Sequence, residues 1–413
     1  MLINKSFLIP SCDDRELNLK RKNKLEYRIS YDPGKTPKAL VFMVGGWGAT
    51  KNIKFYDFER ENIAKTFDVI CVQVYHHAIH RRISTESKYS AKKVFEKEDV
   101  ERIKSYFESI GWDSKGISTQ NAPFAAQKLI QRVAELKSQG VMDKNYQLEL
   151  TLGLSPARDD YENAGIMSAL DYINALKHLD QIIGGGGGSI LKLPKIYAGG
   201  SYGGYLALLI GKIAPFYVDA ILDNSGSALP QVRFILGRET KTCDMIDHYP
   251  HNQIQYYTKT LWTRDPASKY YFSDDCYLIR SILNPTHLEI QKRANPRTIF
   301  VSYHSLIDEL NPSKDKQNLY EIYKHLGFDA TLHLIKDESE LDGRLLKSLD
   351  HGLRMSDKAM IKKELPIILE KIQNQTQEIP SYNEISYPCK EKIYRFKDTK
   401  EGFLCEILIN NTA

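Results

Sequence analysis

Gly199-Gly200-Ser201-Tyr202-Gly203-Gly204-Tyr205 is the stretch whose reading decides the fold. It follows the short apolar segment Lys195-Ile196-Tyr197-Ala198 and precedes the apolar run Leu206-Ala207-Leu208-Leu209-Ile210. A strand, a tight Gly-x-Ser-x-Gly turn and a helix in that order form a nucleophile elbow. A sharp strand-to-helix turn strains the serine backbone, and glycines two positions to either side let strand and helix approach without a Cβ clash. The serine hydroxyl is then expected above a sheet, with a helix N-terminus beneath it that favours developing negative charge.

Outward from this turn, the sequence alternates strand-like and helix-like segments. Ala39-Leu-Val-Phe-Met-Val44 is a continuous apolar run that ends in Gly45-Gly46-Trp47-Gly48, and Asp68 to Val74 reads as a second buried strand, mostly apolar. Runs of this kind suit strands buried on both faces. Leu25–Tyr31, Val218–Leu222, Thr298–Tyr303 and Thr331–Ile335 read as further strands. Helical spacing marks residues 55–67, 163–183, 318–326 and 358–372. The alternation implies βαβ units and a mostly parallel central sheet flanked by helices.

Two stretches interrupt the rhythm. Residues 84–145 are polar and read as a peripheral helical insertion, and Leu148–Leu152 reads as a strand after it. Residues 230–295 carry Phe234, Tyr249, Tyr256, Tyr257, Trp262, Tyr270, Tyr271, Phe272 and Tyr277, and read as an aromatic-rich helical lid. The chain then divides into residues 1–229 and 296–375 as the two parts of one α/β domain, with the lid between them. Residues 376–413 form an appended tail, read as a hairpin turning at Lys400-Glu401-Gly402. The five glycines Gly184–Gly188 read as an exposed loop. Glycine codons begin GG, so a guanine tract, which changes length during replication, is one origin for the run.

A serine hydroxyl needs a base within hydrogen-bond reach and a carboxylate to orient that base. With the serine on an elbow, the expected chain order is Ser, then Asp or Glu, then His. Asp308 follows the strand at 298–303, and His351 lies in the loop after the strand at 331–335. Both fall at strand C-terminal ends, where an open α/β sheet carries its site. Glu309 and Asp315 compete with Asp308; His304, His325 and His333 fall too close to a strand, in a helix and in a strand. Acyl transfer also needs oxyanion donors. The expected ones are the backbone N–H of Tyr202 and that of Gly46 or Trp47. His76, His77 and His80 form a second cluster, with His76 and His80 on one helix face. It lacks an acidic third ligand, so it reads as an active-site rim loop, and neither metal nor organic cofactor is expected.

The 413 residues are 42% hydrophobic and 26% charged, with a formal net charge of +5. The basic residues are scattered without a stripe of interleaved aromatics, which argues against nucleic acid as a partner. No 18-residue apolar run predicts a membrane span. The six cysteines include no Cys-x-x-Cys pair, and Met1–Pro10 lacks the pattern of a signal peptide. A cytoplasmic protein acting on a small-molecule acyl ester or an acylated sugar is expected.

Gly199–Tyr205, Ser302-Tyr303-His304-Ser305-Leu306-Ile307-Asp308 and His351-Gly352 together resemble the α/β-hydrolase fold, and within it the prolyl oligopeptidase-like group. The resemblance spans roughly residues 35–372 and implies a Ser201–Asp308–His351 triad. Gly45-Gly46-Trp47 replaces the commoner His-Gly-Gly. Tyr161–Asp171 and the pentaglycine also look like those of an uncharacterised, often phase-variable bacterial family with this fold, encoded near surface-glycan genes. Three activities stay open at this point: an esterase or deacylase, a serine peptidase, and a non-catalytic binding protein that kept the fold.

Overall fold

The computed structural model describes residues 1–184, 189–376 and 382–411. Of the expected pentaglycine loop, Gly184 ends a helix, and residues 185–188 lie outside the described residues. Among those described, eight strands build the main sheet: Ile3–Ile9 (β1), Leu25–Tyr31 (β2), Leu40–Met43 (β3), Ile70–Tyr75 (β4), Lys195–Gly200 (β5), Ala220–Asn224 (β6), Ile299–Ser305 (β7) and Asp329–Ile335 (β8). Their order is β1-β2-β4-β3-β5-β6-β7-β8. β2 runs antiparallel to both its neighbours, and every pairing from β4 to β8 is parallel.

The buried-on-both-faces reading of β3 follows from its packing. Leu40, Phe42 and Val44 enter one core with the helices Ile166–Gly184 and Tyr202–Ile213, while Val41 and Met43 enter the other with Ile53–Phe67 and Asp357–Gln373. Period-two alternation therefore carries apolar side chains to both layers, and no polar position is left in the strand. This is the α/β-hydrolase fold. Its parallel strands bring the C-terminal ends of β5, β7 and β8 to one edge.

Three expectations change. The stretch 230–295 is not purely helical: it holds the strands Met245–His248 and Asn252–Thr258 beside four short helices. The stretch 84–145 likewise holds a strand, Lys92–Val94, beside the helices Lys97–Ser109 and Ala122–Ser138. Leu148–Ser155 pairs parallel with Asn252–Thr258, so both stretches contribute to one four-stranded sheet apart from the main one. The two long helices cover Leu148 and Leu150 on one face of it. Finally, the tail is a three-stranded antiparallel sheet. Lys392–Thr399 and Gly402–Ile409 form the hairpin, and Glu384–Pro388 adds a third strand. Tyr387, Tyr394, Phe396 and Phe403 bury this sheet against the helical layer of the main body.

Candidate active site

Ser201 follows β5 in a turn too tight for an ordinary backbone. Its φ is +55° and ψ −122°, a sparsely populated region for a residue with a Cβ. The turn closes because its neighbours are glycine. A Cβ on Gly199 would lie 2.5 Å from the Val44 carbonyl oxygen, and one on Gly203 would lie 2.2 Å from the same atom. The Ser201 N–H donates to Asn224 O at 2.7 Å, which pins the turn to the end of β6.

Three residues distant in sequence meet above this edge. His351 Nε2 lies 2.7 Å from Ser201 Oγ, and His351 Nδ1 lies 2.8 Å from Asp308 Oδ2 and 3.0 Å from Oδ1. Asp308 is fixed from behind: the N–H groups of Leu310 and Asn311 each donate to Oδ1 at 2.9 Å. Burial would raise the Asp308 pKa, but the hydrogen bonds from His351 and the Asn311 backbone outweigh it and hold it below the usual carboxylate value. The His351 loop is held by β6. Asn224 Nδ2 donates to Gly352 O at 2.8 Å, and Gly352 N–H donates to Ser225 Oγ at 3.1 Å.

None of the rival candidates takes the place of Asp308 or His351, although His304 Nε2 comes within 3.7 Å of Asp308 Oδ2. Glu309 is exposed, and Asp315 sits in the first turn of the helix Ser313–His325. His304 is buried within β7, with Nε2 bonded to Asn311 O at 2.8 Å. His325 lies in that same helix and His333 within β8.

Gly46 lies against the elbow, with its backbone nitrogen 3.1 Å from the point a Cβ on Gly203 would occupy. The Trp47 ring meets the Tyr202 ring edge-on at 5.4 Å between centroids. Tyr202 is the first residue of the helix Tyr202–Ile213, so its N–H is one of the groups a helix leaves unsatisfied. All three residues expected to serve the oxyanion thus stand around the Ser201 turn.

A cavity of about 170 Å³ opens beside Ser201 and His351. Tyr202, Tyr205, Phe234, Ile235 and Leu310 supply much of its apolar wall. Of the aromatic residues named in the stretch 230–295, Phe234 alone lines it among the described residues. Trp262, Tyr270 and Phe272 instead pack a separate small core. The polar wall, which the sequence did not reveal, includes Arg82, Glu162 and Asp244. The neighbouring Arg81 is buried and pairs with Glu162 at 2.8 Å. Its guanidinium lies 4.1 Å from the Trp47 ring centroid and 4.6 Å from that of Tyr202. A cation on an aromatic face is attractive, more so when desolvated, so Arg81 clamps the two side chains together.

The histidine cluster is not a rim. His76, His77 and His80 are buried, in a turn rather than a helix, and burial holds all three below the usual imidazole range. Desolvation is the largest cause at each, aided by Arg81 at His76 and by Arg21 and Arg81 at His77, and at His80 it outweighs Asp160 and Glu26, which pull the other way. Of the next two residues, Arg82 lines the cavity and Arg81 backs Trp47 and Tyr202. Among the described residues no cluster of three or more His, Cys, Asp or Glu suited to a metal exists, and no helix is long and apolar enough to cross a membrane.

The fold and the Ser–His–Asp array together define an α/β-hydrolase-fold protein with a serine presented to an imidazole. The chain belongs to the DUF2920 family, described as proteins of unknown function, whose model matches residues 5–407. No curated protein matches it. Among solved structures it is similar to an acylaminoacyl peptidase from Pyrococcus horikoshii, at 12% identity and a TM-score of 0.44, covering 92% of this chain and 43% of that one. It is also similar to esterase Est22, at 10% identity and 0.46, covering 91% and 81%. An esterase from Pyrobaculum calidifontis gives 10% and 0.43, covering 90% and 86%. The chain spans less than half the length of the peptidases it resembles.

Proposed function

We propose that the protein is a serine hydrolase, an esterase or deacylase acting on a small acyl ester, including an acylated sugar. The observation that carries the reading is the pair of hydrogen bonds at His351, with Ser201 Oγ at 2.7 Å and with Asp308 at 2.8 Å, beside a serine with positive φ.

In this mechanism Ser201 Oγ attacks the acyl carbon while His351 Nε2 takes its proton. Asp308 holds the imidazole with Nδ1 protonated and Nε2 free to accept, and stabilises the imidazolium that forms. The N–H of Tyr202 and that of Gly46 or Trp47 receive the negative charge that develops on the acyl oxygen. His351 then returns its proton to the leaving alkoxide, and water repeats the sequence to release the acid. A sugar hydroxyl in place of water makes the same site an acyltransferase. No step calls for a metal or an organic cofactor.

The test is turnover of short acyl esters, set beside prolyl peptide amides, by the wild-type protein and by Ser201→Ala. Ester cleavage that vanishes in the variant supports the reading. Cleavage of amides in preference to esters refutes the esterase reading, and ester cleavage that survives Ser201→Ala refutes the assigned nucleophile.

A further inference from the structure

Two opposite charges line the Ser201 cavity without pairing. Arg82 and Asp244 both form part of its wall. Asp244 is anchored through Oδ2, which accepts from the Thr258 N–H at 2.8 Å and from Thr258 Oγ1 at 2.5 Å. Its Oδ1 is buried with no hydrogen-bond partner. Arg82 stands with its guanidinium 5.4 Å from the Trp47 ring centroid, and its Nη1 is likewise buried and unpartnered. Burial lowers the Arg82 pKa to about 10 even though Asp244 acts the other way, as expected for a cation short of compensation. The adjacent couple differs in proximity: Arg81 Nη1 and Glu162 Oε2 form an ion pair at 2.8 Å, although neither atom makes an aligned hydrogen bond.

These charges decide what fits. Arg81 cancels Glu162 by direct contact, which leaves one cation and one anion held apart on the wall. An anionic ligand gains from Arg82 but is repelled by Asp244, and a cationic ligand meets the reverse. A neutral group that accepts from Arg82 and donates to Asp244 satisfies both at once, and unsatisfied buried polar groups are costly enough to reward it. Hydroxyl groups both donate and accept, and two adjacent ones span a wider gap than one. The volume agrees, since a cavity of about 150 Å³ accommodates a ring of benzene size.

We propose that the cavity beside Ser201 is a subsite for a small neutral polyol group, one bearing adjacent hydroxyls, seated between Arg82 and Asp244 with its carbon skeleton against Phe234 and Tyr202. This rests on the hydrolase reading only in that the polyol is taken to be part of the ester. Binding to the wall itself does not depend on turnover.

The experiment uses the full chain carrying Ser201→Ala, so that nothing is consumed. Calorimetry compares glyceryl 1-monoacetate with propyl acetate, its counterpart without the two hydroxyls. The diol ester is expected to bind at least tenfold tighter, and Arg82→Met and Asp244→Asn are each expected to erase the margin. Equal affinities, no measurable binding of either ester, or a margin that survives both variants overturns the proposal. Tighter binding of an O-acetyl hydroxy acid carrying a free carboxylate also overturns it. If Asp244→Asn does not fold, Arg82→Met alone decides. Failure of an active-site serine probe to label the wild-type protein, by contrast, removes the hydrolase reading and leaves the calorimetric result standing.

Discussion

Asp308→Asn separates chemistry from architecture at this site. Asp308 Oδ1 accepts the N–H groups of Leu310 and Asn311, each at 2.9 Å. An asparagine of the same shape keeps those two bonds only by placing its carbonyl oxygen there. Its NH₂ group then faces His351 Nδ1, which the carboxylate oxygen Oδ2 approaches to 2.8 Å in the native chain. An amide donor pointed at Nδ1 requires that nitrogen to be unprotonated, so the proton moves to Nε2. Nε2 then presents an N–H to Ser201 Oγ and cannot accept its proton. A wrong tautomer of this kind costs about 10⁴ in kcat where an equivalent change has been made in a Ser–His–Asp enzyme, roughly 5 kcal/mol of barrier. The same order is expected here, with KM little changed because Asp308 lies behind the imidazole. Stability should move little, since shape and both backbone bonds are kept. The assay is ester hydrolysis followed by proton release, with a thermal melt of the same sample. A loss below tenfold in a protein that melts like the wild type refutes the reasoning.

Gly203→Ala would place a Cβ 2.2 Å from Val44 O and 3.1 Å from the Gly46 nitrogen, against backbone that has no rotamer to yield. A destabilisation of about 1–3 kcal/mol, the usual range for overpacking, is expected in denaturant melts, together with a fall in kcat from displacement of the Gly46 N–H; an unchanged midpoint and unchanged kcat would show that the turn is not tight. Lys212 gives a pH signature. It is buried, with Nζ donating to Ser281 O at 2.7 Å and to Leu278 O at 3.3 Å, and burial lowers its pKa to about 7. Between that value and the ordinary one near 10.4, the unfolded chain binds a proton the folded chain does not, so this residue makes stability rise with pH by about 1.4 kcal/mol per unit. Lys212→Met should flatten the pH 7–8.5 stability slope by about that amount, and identical slopes in the two proteins would contradict the assignment.

What the sequence made legible depended on how local the constraint is. The elbow could be read because its requirements fall within seven residues: two glycines forced by the Val44 carbonyl, and a strand and a helix on either side. Asp308 and His351 could be placed because each follows an apolar strand, and parallel strands deliver their C-terminal ends to one edge. The pairing of Leu148–Ser155 with Asn252–Thr258 could not be read in the same way. Asn252-Gln-Ile-Gln-Tyr-Tyr-Thr258 mixes polar and aromatic residues, and its partner lies about a hundred residues earlier, so no local pattern announces the strand. The aromatics around it looked like a lid lining because ring content is visible in sequence and direction is not; Trp262 and Phe272 pack edge-on against each other instead, at 5.3 Å. Glu384–Pro388 escaped notice for a related reason. It is five residues long and ends in proline, and it is a strand because the hairpin beside it supplies the partner.

The polar wall of the cavity was the least legible feature. Arg81 and Arg82 come from the segment after β4, Glu162 from the segment before the helix Ile166–Gly184, and Asp244 from the residue just before the strand Met245–His248. None carries a motif. Arg82 in sequence is one more scattered basic residue, and only burial beside Asp244 gives its charge a meaning. The three histidines that precede it drew attention by their residue type, yet they are neutral packing residues. Chemistry-bearing residue types are a weak guide when long-range contacts set the environment.

The most direct test of the central claim is labelling of the folded protein with a fluorophosphonate, followed by mass mapping of the modified peptide. One modified residue is expected, Ser201, with labelling lost in Ser201→Ala and slowed by orders of magnitude in His351→Ala. A folded protein that takes up no label, or one in which labelling persists at another residue after Ser201→Ala, would contradict it.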